Sequence, residues 1–297
     1  MSGQGNPDRE LEVIRSILEP QMNLHTIFTK PDLDPVTQAK EAIAKIQANK
    51  NEEQTGCLIA SGGDGTVSAI AGTTIGTGIP FGVIPRGTAN AFAVALGLPT
   101  NLRLACETIA TRNTRTIDAA YCNDIPMILL AGVGFEAEMV NNANRELKNK
   151  LGTLAYILSG TQQLFTQQDF QAKIKIEGET LEFKTGAVTV ANAAPTTSIM
   201  AQGFGAVIPD DGLLEVTIPV SKNWREDINT SAALIASALA KSHIEEQNLI
   251  RLRTPKLKLF TDPPQKLVID GELVEANPVE FVCVPNGLTV FCPLSRN

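Results

Sequence analysis

The sequence lacks several features that common classes of protein need. None of its apolar runs approaches the 18 or more residues that a membrane-spanning helix requires. Residues 1–10 are polar and contain no apolar core of a signal peptide. Only two histidines are present, His25 and His243, and neither lies in a motif. We therefore do not expect a histidine-based catalytic triad or a zinc site.

A basic surplus is also missing, because 25 Lys and Arg residues stand against 32 Asp and Glu residues, for a formal net charge of −7. This balance argues against a general nucleic-acid binder. Any contact with an anionic membrane must be local. The five cysteines form no Cys-x-x-Cys motif and lie mostly in apolar segments. They are expected to be reduced thiols, which fits a cytoplasmic protein.

The first chemically informative stretch is an apolar run that ends in Gly-Gly-Asp-Gly-Thr at residues 62–66, before a helix-compatible segment. Glycines let the backbone turn sharply and approach a ligand, and N–H groups at the start of a helix bind phosphate. Asp64 could act on phosphate only through a metal ion, or act on a nearby hydroxyl. By itself the motif favours a simple Asp-Gly turn between two elements.

A second unit of the same kind follows about twenty residues later. An apolar run ends in Pro-Arg-Gly-Thr-Ala-Asn at residues 85–90, before a second segment of helical composition. Two such units predict two phosphate-facing loops at adjacent strand ends of one open sheet.

Together the two motifs resemble the catalytic domain of diacylglycerol kinases, a family that includes bacterial soluble lipid kinases, sphingosine kinases and ceramide kinases and is distantly related to NAD kinases. The resemblance implies an ATP- and Mg²⁺-dependent enzyme that phosphorylates a lipid hydroxyl, with a diacylglycerol-like acceptor as the default. It also implies a set of nucleotide-binding residues, of which the first two match the end of another family loop: Ser2, Gly3, Gly62, Gly63, Asp64, Gly65, Thr66, Arg86, Gly87, Thr88 and Asn90.

The order of predicted elements indicates two domains. Apolar residues at 11, 14, 17 and 18 recur at helical spacing. Strands at 24–28 and 79–84, with a strand and loop at 57–66 between them, alternate with helices at 35–49 and 102–110, which predicts a doubly wound α/β domain over residues 1–118. Residues 136–168 have helical periodicity, and core packing is favoured for them over membrane docking. From residue 172 short strands dominate, among them 252–260, 279–284 and 288–291, with one helix predicted at 224–239, which indicates a β-sandwich or barrel. The resemblance favours an NAD kinase-like α/β domain and a β-sandwich over 119–284 that carries the lipid site and the base. It further implies that residues 285–297 return to the first domain and that the nucleotide cleft lies between the two.

Three acidic sites in the second half carry further expectations. Asp118 ends a strand and either caps the backbone or, as the resemblance implies, joins Asp64 in binding the catalytic Mg²⁺ through water. The spacing of Asp270-Gly271-Glu272 fits a hairpin turn. The resemblance implies that Glu272 is the general base, in preference to Asp270. Asp210, Asp211 and the main-chain oxygen of Leu213 form either an Asp-rich turn or, by the same resemblance, a structural Mg²⁺ site.

The chain departs from the family pattern at Ala69, Ala91 and Val94, where the family commonly has Glu, Asp and Arg. The loss of the acidic residues leaves fewer groups around a metal ion. Two other functions are therefore compatible with the sequence, namely an NAD kinase-type enzyme with a soluble substrate and a non-catalytic nucleotide-sensing domain of a longer protein. The segment at 86–90 and the Asp-Gly-Glu motif favour the lipid kinase. Its expected partners are ATP, a lipid at a membrane surface and, in a homodimer, a second copy of the chain.

Overall fold

The computed structural model describes residues 6–29, 33–49, 56–134, 169–195, 207–219 and 249–294. The helices predicted at 136–168 and 224–239 lie outside these residues, as do Ser2 and Gly3. The chain divides into two compact units, one formed by Met1–Ile117 with Asn286–Asn297 and the other by Asp118–Pro285.

The first unit contains the predicted alternation of strands and helices. Strands β1 (Leu58–Gly62) and β2 (Phe81–Pro85) pair in parallel, with Ala60 opposite Val83, and a helix connects them. This β–α–β arrangement places the carboxyl ends of both strands at one edge, where the two glycine-containing loops begin. The helices of this unit are α1 (Pro7–Leu18), α2 (Pro35–Ala48), α3 (Asp64–Gly72), α4 (Ala91–Ala95) and α5 (Leu102–Ala110).

Apolar faces of the helices pack on this sheet. Ile14 and Leu18 of α1 share a core cluster with Ile84 of β2 and Ile109 of α5. The predicted helical spacing of residues 11, 14, 17 and 18 is therefore confirmed, and it fixes α1 against the strand that leads into the second loop.

The prediction of a strand at 24–28 is wrong. The segment has no regular secondary structure, and the side chains of Ile27 and Phe28 are 54% and 66% exposed. Its apolar composition resembles a strand, but a strand needs a ladder partner, and the described strands pair elsewhere.

The second unit is mainly β. One antiparallel sheet has the strand order β10-β9-β8-β5-β12-β13. Facing it, β14 pairs with β11, β11 with β6, and β6 with β7, all antiparallel. The strands are β3 (Thr114–Cys122), β4 (Ile125–Met127), β5 (Leu130–Val133), β6 (Phe170–Ile176), β7 (Glu179–Thr185), β8 (Val188–Ala191), β9 (Leu214–Pro219), β10 (Leu249–Thr254), β11 (Lys256–Asp262), β12 (Leu267–Ile269), β13 (Glu272–Val274) and β14 (Val279–Phe291).

The core of the second unit lies between its two sheets. Phe183 and Phe281 from one sheet share a cluster with Val190 and Val216 from the other, and all four side chains are buried. This packing confirms the predicted sandwich.

Two predicted strand boundaries change. The run predicted at 252–260 is split by Pro255 into β10 and β11, since proline cannot donate a ladder hydrogen bond. Conversely, the runs at 279–284 and 288–291 form the single strand β14, whose last residues pair with β2 through Val290 and Phe81.

Gly134 provides a test of close packing in the second unit. Its φ is +77°, and a Cβ there would lie 2.6 Å from the carbonyl oxygen of Gly186 and would overlap the Phe170 ring. Gly134→Ala should therefore lower the free energy of unfolding by about 2–4 kcal/mol, from backbone strain plus overpacking. Urea unfolding measures this loss.

Gly178→Ala is the matched control. Gly178 also has a positive φ, +87°, but among the described residues no atom outside its chain neighbours lies within 4 Å of the added Cβ. This variant should lose only the strain energy of about 1 kcal/mol. Equal losses in the two variants would contradict the proposed packing at Gly134.

Candidate active site

The first loop leads directly from β1 into α3. Gly63 is the N-cap residue of α3 and Asp64 its first helical residue, with Gly65 and Thr66 in the same first turn. No side chain in the described part of the chain caps this helix end. Its N–H groups can therefore meet an anion, as the sequence predicts.

The second loop packs against the first. The N–H of Arg86 donates to the carbonyl oxygen of Gly62 at 2.8 Å, and the N–H of Gly87 donates to Oδ1 of Asn90 at 2.8 Å. A Cβ on Gly87 would lie 3.1 Å from Cα of Gly63. A side chain at residue 87 would therefore crowd the first loop, and glycine favours the close approach of the two backbones.

Asn90 and Thr88 complete this loop before α4. Asn90 has a φ of 48° and a ψ of 44°, in the left-handed region that asparagine tolerates better than most residues. Thr88 lies in the bend between β2 and Asn90. The structure therefore brings the residues of the two motifs that are predicted to bind nucleotide, as far as it describes them, to one edge of the sheet.

Asp64 connects the two loops. Its Oδ1 accepts a hydrogen bond from the N–H of Ala91, the first residue of α4, at 2.5 Å and across 27 residues of sequence. Burial raises the pKa of Asp64, and hydrogen bonds from the N–H groups at the start of α4 partly oppose that rise. The carboxylate therefore acts as a long-range cap of α4, a role that sequence reasoning missed.

Sequence reasoning also missed Glu10 of α1, which forms an ion pair with Arg86 through Oε2 and Nη2. Neither residue type nor local spacing signals this contact, because the two residues belong to different elements far apart in sequence.

In the second unit, Asp118 holds a turn. The prediction that Asp118 ends a strand is wrong, because β3 continues to Cys122. The side chain of Asp118 is 2% exposed, and its Oδ2 accepts from the N–H of Gly212 at 2.6 Å. Its own N–H donates to the carbonyl oxygen of Pro209 at 2.6 Å. Asp118 therefore fixes the position of the Asp210-Asp211 turn.

That turn is further held by an ion pair. Asp211 accepts from the N–H of Leu213 at 3.0 Å through Oδ1 and pairs with Arg253 through Oδ2, while Asp210 is exposed. Arg253 also reaches Glu215, with Nε 2.7 Å from Oε1. Across the described ranges no three His, Cys, Asp or Glu side chains cluster closely enough to hold a metal ion.

The Asp270-Gly271-Glu272 segment forms the hairpin turn that its spacing predicts. Strands β12 and β13 pair with Ile269 opposite Glu272, and φ is positive at both Asp270 (46°) and Gly271 (95°). Both positive angles are typical of a type I′ turn.

The two carboxylates of this turn differ in environment. Both oxygens of Asp270 are buried and accept hydrogen bonds from three successive N–H groups, those of Ile128, Leu129 and Leu130, at 2.7, 2.9 and 3.0 Å. Glu272, at the start of β13, is exposed. Asp270 is thus committed to the backbone, whereas Glu272 is available to a substrate.

Comparison with known proteins identifies the family. Residues 1–122 match the diacylglycerol kinase catalytic domain, and residues 130–292 match the YegS C-terminal NAD kinase beta sandwich-like domain. The diacylglycerol kinase of Bacillus subtilis is 30% identical over 246 residues, which cover 80% of this chain and 78% of that protein. The chain belongs to the diacylglycerol kinase family of lipid kinases.

Two further similarities extend over nearly the whole chain. An uncharacterized protein of Synechocystis is 48% identical over 300 residues, covering all of this chain and 69% of that protein. A crystal structure of a diacylglycerol kinase from Bacillus anthracis superposes with a TM-score of 0.76 at 23% identity, over 98% of this chain and 94% of that one. The latter likeness shows a shared fold.

For a lipid kinase, the relation to a membrane matters. Among the helices within the described ranges, none is long and apolar enough to cross a bilayer.

Asp270 makes stability depend on pH. Burial raises its pKa from 3.8 to about 6, although the three N–H groups partly oppose this rise. The folded chain therefore binds more protons than the unfolded chain between these two values. The free energy of unfolding should fall as the pH rises from about 4 to about 6, by at most about 1.4 kcal/mol per pH unit.

Urea unfolding of the wild type and of Asp270→Asn across this pH range isolates the contribution of Asp270. The variant cannot ionise at this position, so the fall attributable to Asp270 should be missing from its profile. Parallel profiles would contradict the raised pKa.

Proposed function

We propose that this kinase transfers the γ-phosphate of ATP to the hydroxyl of a diacylglycerol-like lipid, with Mg²⁺ as cofactor. The observation that carries the proposal is the contact between two glycine-containing loops at adjacent strand ends, tied together by Asp64. Such loops suit the phosphates of a nucleotide, because backbone N–H groups and a helix N-terminus converge on one edge.

The nucleotide would be held by both loops. We assign its phosphates and ribose to the residues that the two motifs supply and to the segment near the N-terminus: Ser2, Gly3, Gly62, Gly63, Asp64, Gly65, Thr66, Arg86, Gly87, Thr88 and Asn90. The uncapped start of α3 and the guanidinium of Arg86 support this assignment in the first unit.

A magnesium ion would be held by Asp64, directly or through water, and a role of Asp118 in binding this ion through water stays a prediction. The fit is supported by the chemistry of the donors, since Mg²⁺ takes one or two protein carboxylates and completes its shell with water and phosphate oxygens. Oδ1 of Asp64 is engaged by Ala91, and its Oδ2 is the atom on the side of Gly87. When bound, Mg²⁺ neutralises charge on the phosphate oxygens.

Glu272 would act as the general base. Its carboxylate takes the proton of the lipid hydroxyl while the hydroxyl oxygen forms a bond to the γ-phosphorus. The bond from that phosphorus to the bridging oxygen breaks, and ADP leaves. The exposure of Glu272 and the full engagement of Asp270 by backbone N–H groups support this choice over Asp270.

The acceptor class places the reaction at the surface of a bilayer, and we propose a cytoplasmic enzyme that contacts this surface peripherally. Because the net charge of the chain is −7, attraction to an anionic membrane must come from a local part of the protein surface and not from the overall charge. Assembly into a homodimer stays a prediction.

The deciding experiment follows labelled γ-phosphate from Mg-ATP onto dispersed diacylglycerol, phosphatidylglycerol and a sphingoid base, with NAD as a soluble acceptor. The wild type should label diacylglycerol, and Glu272→Gln should lower kcat by at least about 100-fold with ATP binding retained, as expected for a lost base. Glu275→Gln is the control, because Glu275 is exposed three residues further along the same hairpin.

The other outcomes separate the remaining functions. Labelled NAD instead of lipid would establish a kinase of the NAD kinase type. ATP binding without any product would establish a nucleotide-sensing domain. In the same assay, undiminished turnover of Asp64→Asn, which keeps an oxygen that can accept from Ala91, would refute the metal role of Asp64.

A second, structural Mg²⁺ is proposed at Asp210, Asp211 and the carbonyl oxygen of Leu213. Because Asp211 already pairs with Arg253, Asp210 is the carboxylate left for the ion. Without nucleotide, millimolar Mg²⁺ should raise the melting temperature by about 2–4 °C relative to EDTA. Asp210→Asn should remove this rise, whereas Asp124→Asn, at another exposed turn of the same unit, should retain it. A rise that survives in Asp210→Asn would contradict the site.

A further inference from the structure

The ion pair between Glu10 and Arg86 joins helix α1 to the second loop. Nη2 of Arg86 contacts Oε2 of Glu10, and the two side chains are 22% and 26% exposed. We propose that Glu10 is a positioning residue that holds the guanidinium of Arg86 ready for the phosphates of the nucleotide. This inference rests on the proposed nucleotide-binding role of Arg86.

Glu10 itself is firmly placed. Asn6 caps α1 by accepting from the N–H of Asp8 at 3.1 Å, and the N–H of Glu10 donates to the carbonyl oxygen of Asn6 at 3.0 Å. Glu10 therefore lies in the first turn, where the helix dipole favours a carboxylate. Ile14, four residues after Glu10 and therefore on the same face of α1, packs on the core that contains Ile84 of β2. The carboxylate is thus fixed relative to the strand that ends at the second loop.

The backbone of Arg86 is fixed as well. Its N–H donates to Gly62, and the next N–H, that of Gly87, donates to the side chain of Asn90. With the backbone and Nη2 both held, the flexible arginine side chain is restrained at its two ends. A free arginine side chain carries about 2 kcal/mol of rotamer entropy, so ordering it before binding should favour nucleotide affinity.

The ion pair leaves donors of the guanidinium for a ligand. Glu10 contacts one of its three nitrogens, and Nε is buried without a hydrogen-bond partner in the part of the chain that the structure describes. Arginine binds phosphate through two parallel N–H groups in a planar fork. A phosphate oxygen would give these unused donors the acceptors that buried polar groups require.

A different role of Glu10 would change the affinity for ATP in the opposite direction. If Glu10 acted only as a counter-ion that competes with phosphate, its removal would increase the local positive charge and tighten nucleotide binding. If it preorganises Arg86, its removal should weaken binding. The two roles therefore predict changes in opposite directions.

The test measures the Kd of ATP by calorimetry on the full chain. Glu10→Ala should raise this Kd by about 3- to 10-fold, as expected for one side chain that must be ordered on binding. In the lipid kinase assay the KM for ATP should rise similarly, while kcat changes by less than about twofold. The reason is that the lost contact stabilises bound ATP and the transition state equally, so the barrier between them is unchanged. Glu10→Gln, which keeps the side-chain volume, replaces Glu10→Ala if the latter fails to fold.

Glu12→Ala is the matched control, because Glu12 lies on the same helix, carries the same charge and is exposed. It should leave the Kd unchanged. A rise equal to that of Glu10→Ala would assign the effect to a general disturbance of α1 and overturn the inference.

A double-mutant cycle tests whether Glu10 acts through Arg86. Arg86→Ala should weaken ATP binding, and the double variant should bind no more weakly than Arg86→Ala alone. The inference would be overturned if the losses of affinity for ATP in the two single variants added fully in the double variant. It would also be overturned if Glu10→Ala bound ATP more tightly, or if its Kd stayed unchanged while Arg86→Ala weakened binding. In each of these cases the kinase function stands. An unaffected Arg86→Ala would overturn both the inference and the assignment of Arg86. Failure of the proposed function itself would appear separately, as the absence of a labelled lipid.

Discussion

The hydrogen bond between Asp64 and the N–H of Ala91 is the contact on which the arrangement of the two loops depends. Parallel pairing of β1 and β2 brings both loops to one edge, but pairing alone does not fix how the loops lie against each other. The half-buried carboxylate bears a desolvation cost, seen in its raised pKa, and the N–H groups at the start of α4 offset it. The side chain of Asp64 thereby caps α4 through Oδ1, and its Oδ2 lies on the side of Gly87 in the second loop.

The same physical solution recurs in the second unit. Asp270 is buried, and it is tolerated there because three consecutive backbone N–H groups satisfy its oxygens. Its carboxylate fixes the hairpin that presents Glu272, two residues away in sequence and exposed. In each unit an aspartate therefore organises the backbone through hydrogen bonds from N–H groups. The two Asp-Gly motifs differ in local structure, since Asp64-Gly65 begins α3 whereas Asp270-Gly271 forms the hairpin turn before Glu272.

Arginines extend this arrangement. Arg86 joins the second loop to α1, and Arg253 joins the Asp210-Asp211 turn to Glu215. We assign the nucleotide phosphates to Arg86 and a structural Mg²⁺ to the turn that pairs with Arg253. Each guanidinium therefore contributes to the local charge that the assigned ligand meets. For Arg86 the carboxylate of Glu10 aligns the donors. For Arg253 the pairing limits the carboxylates open to a metal ion, which places more weight on Asp210.

The sequence by itself determined the features that short-range patterns encode. Glycines after apolar runs predicted the two loops, helical spacing predicted α1 and α2, alternating short strands predicted the sandwich, and Asp270-Gly271 predicted a turn with positive φ. These succeed because propensity and turn geometry act within a few residues. Tertiary structure alone decided the pairing of strands, which is why residues 24–28 were wrongly predicted to be a strand. It also decided the partners of Asp64, 27 residues away, and of Asp270, 142 residues from Ile128, because such contacts arise only once separate elements have packed.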